Sequence, residues 1–121
     1  MSDPTRFLKT HPVLPSLDLA RTTSFYEKHF GFSPWKPRED VVVLSRDQVE
    51  LHFWKCEDEN IPANTSCRIQ VSGIEALFAH CQRDGLNPGP LEGDPDRMRV
   101  FGLGDPDGNL LWLFELASPN R

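Results

Sequence analysis

Few residues in this chain have chemistry to offer, and they fall on short alternating segments. Val49-Glu50-Leu51-His52-Phe53-Trp54 has strand period, with Glu50, His52 and Trp54 on one face and Val49, Leu51 and Phe53 on the other. Cys67 to Val71 alternates likewise, with Arg68 and Gln70 opposite Cys67, Ile69 and Val71. Trp112 stands in the apolar run Leu110 to Phe114. Large flat rings such as Trp54 and Trp112 stack on planar heteroaromatic groups at low entropy cost. Arg68 and Arg99 can pair with a carboxylate or stack as cations. Nucleophilic and phosphate chemistry is not signalled. There is no G-x-S-x-G elbow, and Asn87-Pro88-Gly89-Pro90 is turn punctuation and not a nucleotide cradle. Cys56, Cys67 and Cys81 form no C-x-x-C pair, and Cys67 and Cys81 fall on apolar faces where a thiol is inert.

Two helices and a set of strands must position these residues. The first helix is predicted over 19–30, with Asp18 as N-cap and Gly31 at the C-terminus. The second is predicted over about 73–84, where Ser72 and Glu75 read as a capping box and Gly85 as the stop. His29 and His80 fall on these helices as solvated residues. Strands are predicted at 11–17, 41–45, 49–54, 66–71, 99–103 and 110–115. Asp105-Pro106-Asp107-Gly108 has type I turn chemistry between the last two. The polar stretch 56–65, with Pro62, reads as a linker. The order strand, helix, three strands occurs twice, offset by about 55 residues, so the chain reads as a duplicated βαβββ unit. This is an α+β arrangement in one domain over 1–121: a first module at about 6–55, the linker, and a second at about 66–116.

Composition narrows the partners. A chain of 121 residues with 38% hydrophobic and 26% charged residues is globular. Its net charge of −5 disfavours nucleic acid as a partner. No apolar run approaches the ~20 residues of a membrane span. The start Met1-Ser2-Asp3-Pro4 has no signal-peptide character, and the odd cysteine count fits a reducing compartment, so a cytoplasmic protein is expected.

The motifs have a familiar pattern. His11-Pro12-Val13-Leu14-Pro15-Ser16-Leu17-Asp18, Ser24-Phe25-Tyr26, Phe30-Gly31-Phe32 and the closing Asp105-Pro106-Asp107-Gly108-Asn109 resemble the glyoxalase/bleomycin-resistance group, the vicinal oxygen chelate superfamily. The stretches 49–54 and 64–71 are most similar to bleomycin-resistance proteins. The resemblance implies two βαβββ modules curled into open sheets, with clefts completed in a homodimer. It also implies an N-terminal strand exchanged between subunits at Pro12.

Superfamily enzymes hold a divalent metal with one residue from each of four strands. On this chain those positions fall at His11, Glu50, Ser66 and Trp112. The last two are not the usual histidine and glutamate, so no metal and no catalytic residue is expected. The alternative is a divalent metal on His11 and Glu50, with His52 as a further ligand on the same face, serving a lyase, thiol transferase or dioxygenase. The resemblance makes the strand face bearing these positions the cleft lining. Its ligand-binding candidates are Glu50, His52, Trp54, Arg68, Gln70, Arg99 and Trp112. The implied function is metal-free sequestration of a bulky aromatic small molecule, such as a bleomycin-like antibiotic. Some bleomycin-resistance proteins place aromatic residues where this chain has Val41, Arg68 and Arg97, which points to the same mode of action on a different compound.

Overall fold

The computed structural model describes residues 3–35 and 38–118. Its elements run β1 (Val13–Ser16), α1 (Leu19–Phe30), β2 (Ser33–Trp35), β3 (Val41–Arg46), β4 (Val49–Lys55), α2 (Asn60–Ala63), β5 (Ser66–Gln70), α3 (Ile74–Arg83), β6 (Glu92–Asp94), β7 (Met98–Gly104) and β8 (Leu110–Leu116). They form two four-stranded mixed sheets, in the orders β1-β4-β3-β2 and β5-β8-β7-β6. The two orders are the same pattern, as a duplicated βαβββ unit requires. In each sheet the first strand runs parallel to the last, and the other pairs are antiparallel.

The alternation read from the sequence sets the faces. Leu14, Leu51 and Phe53 of the first sheet, and Phe101, Leu103, Leu111 and Leu113 of the second, pack with Tyr26 and Phe30 of α1 and Ile74 and Cys81 of α3 in one buried cluster. Each fully buried large side chain there contributes roughly 1.5–3 kcal/mol. The other face of each sheet lies away from this core. No helix among the described residues is long and apolar enough to cross a membrane.

Several local expectations are corrected. β1 is shorter than 11–17. Pro12 has no N–H for the ladder, although its carbonyl still accepts from His52 N at 3.0 Å, and at the other end Leu17 N donates to Asp107 Oδ1 at 2.8 Å instead. The stretch 56–65 is not a bare linker, since it contains α2 with Pro62 buried. Asp18 caps α1 as expected, accepting from Arg21 N, and Gly31 closes it at φ 68°. The Ser72/Glu75 capping box does not form. Gly73 precedes α3 in the left-handed region, at φ 74°. The Glu115 carboxylate of β8 takes over the cap, accepting from Gly73 N at 3.1 Å and Ile74 N at 3.0 Å. A charged acceptor brought in by tertiary packing displaces the local box.

His29 and His80 are likewise not free in solvent. His29 Nδ1 and His80 Nε2 lie 2.9 and 3.3 Å from Asp84 Oδ2, and His80 Nε2 is 2.6 Å from the His29 carbonyl oxygen. This clasp joins the ends of α1 and α3. Chiefly through the hydrogen bond from His29, it holds the Asp84 carboxyl below its usual value.

The closing motif is a knot between modules. The fully buried Asp107 carboxylate accepts from Leu17 N, from Arg21 Nη2 at 3.0 Å and from Thr22 Oγ1 at 2.6 Å. Asp105 Oδ1 accepts from the N–H groups of Asp107, Gly108 and Asn109, and its Oδ2 from Tyr26 Oη at 2.9 Å. Asn109 donates to the Pro15 carbonyl. Burial, then the neighbouring Asp105 charge, pushes the Tyr26 phenol well above its usual value.

Candidate functional site

The first sheet carries a histidine–glutamate–histidine group on its open face. His52 sits mid-strand on β4, paired with Val13 of β1 and Val43 of β3. Glu50 lies two residues before it on the same face. The bond from His52 N to the Pro12 carbonyl holds the chain just before β1 beside them. As a result, His11 Nδ1 lies 3.1 Å from Glu50 Oε2, and the His11 and His52 rings stack with centroids 5.1 Å apart. His52 Nε2 lies 3.4 Å from Glu50 Oε1, yet it is buried without a well-directed hydrogen bond. The three side chains are 22–35% exposed. Trp54 follows on the same face, 37% exposed, beside Pro15 and Val41.

The second sheet presents an aromatic face with one strand arginine. Trp112 of β8 is 39% exposed and pairs with Arg68 on one side and Gly102 on the other. A Cβ at Gly102 would stand 3.1 Å from Trp112 Cζ3, so the missing side chain lets the indole lie close on the neighbouring strand. The Arg68 guanidinium carbon is 4.3 Å from the centroid of the Phe114 ring. Gln70 lies beside Phe114 at the end of β5.

Two groups are thus assembled: His11, Glu50, His52 and Trp54 on one sheet, and Arg68, Gln70 and Trp112 on the other. Arg99 joins neither. It alternates with Val100 and shares the helix-facing side of β7 with Phe101 and Leu103, where it pairs with Glu75 on α3. Arg99 is therefore removed from the cleft candidates, because strand parity fixes its face. The same parity places Met98 on the open face, its Sδ 3.9 Å from Arg68 Nη2. The local sequence pattern starts that strand at Arg99, so it gives no sign of Met98.

No family model matches the chain. Curated relatives do: the bleomycin resistance proteins of Geobacillus stearothermophilus and Staphylococcus aureus are each 30% identical over 127 residues, covering 89% of this chain and 96% of theirs. The chain belongs to the bleomycin resistance protein family. The fold agrees. The crystal structure of a bleomycin resistance determinant encoded on transposon Tn5 superposes with a TM-score of 0.81 at 24% identity, over 93% of this chain and all of that one. The bleomycin-binding protein of Streptomyces verticillus, solved with copper(II)-bleomycin, gives 0.79 at 27% identity over 90% and 96%. A glyoxalase family protein from Bacillus anthracis shares the fold at 0.77 and 16% identity, over 96% and 99%.

Membership in this family sharpens the metal question. The four-strand ligand set of the wider superfamily does not fit this chain. Ser66 is an exposed hydroxyl at the start of β5, and the Trp112 position is filled by an indole packed against Gly102. A smaller set does fit: ligand atoms of His11, Glu50 and His52 all lie within 4.8 Å of one another. Two imidazoles and a carboxylate suit zinc, iron, nickel or copper, and a bound ion would act there as a Lewis acid.

Proposed function

We propose that this protein binds and sequesters a bulky aromatic small molecule of the bleomycin type, without a resident metal and without transforming it. The observation that carries this reading is the pair of exposed indoles, Trp54 and Trp112, one on each open sheet face. The relatives named bleomycin resistance proteins support it, as does the similar Streptomyces verticillus protein solved with copper(II)-bleomycin. Protection would follow from mass action. Protein at ~100 times Kd leaves about 1% of the drug free, so micromolar protein needs a Kd of order 10 nM.

The working unit is proposed to be a homodimer. Val13, Trp35, Trp54 and Trp112 are all more than one-third exposed, more apolar surface than these half-walled faces would leave to water. The three free cysteines support a cytoplasmic setting, and the acidic balance supports the absence of a nucleic-acid partner. The test is a titration with bleomycin followed by tryptophan fluorescence, on wild type, Trp54→Phe and Trp112→Phe. Saturable quenching that weakens in either variant is expected. A flat titration counts against the reading.

His11, Glu50 and His52 favour a second reading, in which their clustered donors hold a divalent ion for an enzyme of the wider superfamily. Calorimetry with zinc or nickel alone separates the two. Stoichiometric binding lost in His52→Ala supports the second reading, and no binding supports the first.

A further inference from the structure

The open face of the second sheet holds a cation without a counter-ion. Three arginines lie within strands: Arg46, Arg68 and Arg99. Arg46 pairs with Asp47 and donates to the Phe30 carbonyl, and Arg99 pairs with Glu75. Among the described residues Arg68 has no carboxylate within ion-pair distance. Its charged group rests over the Phe114 ring and against Met98 Sδ, both apolar. The chain's net charge is −5, so this cation is not the overflow of a basic surface. The carboxylates that share the face, Glu92 and Asp94, stand on β6 at its far edge. Asp94 is the cross-strand partner of Met98, but its Oδ1 accepts from Asp96 N at 2.9 Å and it makes no ion pair with Arg68.

A guanidinium over a ring keeps its N–H edge available, and that edge matches two oxygens of a planar anion. The Trp112 indole is the direct cross-strand neighbour of Arg68 and exposes its ring to the same space. We propose that this face selects an anionic planar aromatic, with the flat ring system on Trp112 and its carboxylate on Arg68. The proposal rests on the sequestering reading above and adds an anion-selective subsite to it: Trp112 supplies affinity for the ring, and Arg68 selects the charge of the group beside it.

The test uses three probes with one ring system: quinoxaline-2-carboxylate, the neutral quinoxaline-2-carboxamide and the cationic quinoxalin-2-ylmethylamine. Each is titrated by tryptophan fluorescence into wild type, Arg68→Met and Arg68→Lys. Wild type should bind the carboxylate about tenfold tighter than the carboxamide, and the amine most weakly. Arg68→Met should bring the three together while still binding all of them, and Arg68→Lys should keep part of the preference. Equal binding of all three probes to wild type, or tightest binding of the amine, overturns the charge assignment and leaves the aromatic groove standing. Failure of every probe, and of bleomycin, to quench at all removes the groove reading and this proposal with it.

Discussion

Replacing Asp107 with alanine tests the knot that joins the two modules. The side chain is fully buried, and its two oxygens serve Leu17 N, Arg21 Nη2 and Thr22 Oγ1. In Asp107→Ala, Arg21 recovers water, because it is half exposed. Thr22 and Ser16 keep the 2.6 Å bond between their hydroxyls, but one of the two protons loses its acceptor. Leu17 N–H has no second acceptor. One unsatisfied buried N–H costs about 1–3 kcal/mol, and the lost bonds to a charged acceptor add about 1.5–3. The expected destabilisation is therefore about 3–5 kcal/mol, or roughly 10–20 °C in Tm for a domain of this size.

Asp107→Asn should cost much less. The amide oxygen can accept from Leu17 and Arg21. The amide N–H can donate to Thr22 Oγ1, whose own proton then points to Ser16. The Ser16 hydroxyl proton then loses its acceptor, which together with the lost charge costs about 2 kcal/mol. Urea unfolding followed by tryptophan fluorescence reads both variants. Alanine within 1 kcal/mol of wild type, or asparagine as costly as alanine, would refute the reasoning.

Other expectations follow from the same contacts. Tyr26 is the chain's only tyrosine, so the pH-dependent rise in absorbance at 295 nm, over the constant background of three tryptophans, reports it alone: the native protein should titrate well above pH 10 and the urea-unfolded chain near 10. Because the folded value is raised, this contribution is intact below pH 10 and is lost as pH rises through the folded value. Unfolding free energy should fall by up to about 1.4 kcal/mol per pH unit above 10. Glu115→Ala should destabilise by about 1–2 kcal/mol, because it uncaps α3, and Glu75→Ala by less than about 0.5, because Glu75 is largely exposed. Chemical denaturation of both variants decides which residue caps the helix. Asp84→Asn should narrow the stability gap between neutral and acid pH. The contribution of a depressed carboxylate is present above pH 3.8 and lost as pH falls through its folded value.

The regular parts of the fold were legible because their periods are local. Val49 to Trp54 announced its two faces, and α1 its cap and its stop, from neighbours alone. What escaped the sequence was contact across the chain. Glu115 caps a helix whose N-cap, Gly73, lies 42 residues earlier, and nothing local to Ser72 and Glu75 signals it. Asp107 reaches Leu17 across 90 residues, so the closing motif read only as a turn. Arg99 stands two residues before Phe101 and so shares its strand face, which is the helix side and not the open one. Parity counted from Phe101 puts Arg99 on the helix side and Met98 on the open side. The gathering of His11 with Glu50 and His52 required the parallel register of β1 on β4, which no local pattern encodes.

The central claim is that this protein holds an aromatic ligand and leaves it unchanged. Equilibrium dialysis of metal-free protein against bleomycin, with mass spectrometry of the drug recovered from the protein side, tests it most directly. The account predicts saturable retention of bleomycin, reduced in Trp112→Phe, with the recovered drug identical in mass to the input. No retention at protein concentrations well above micromolar, or a drug of altered mass, would contradict it.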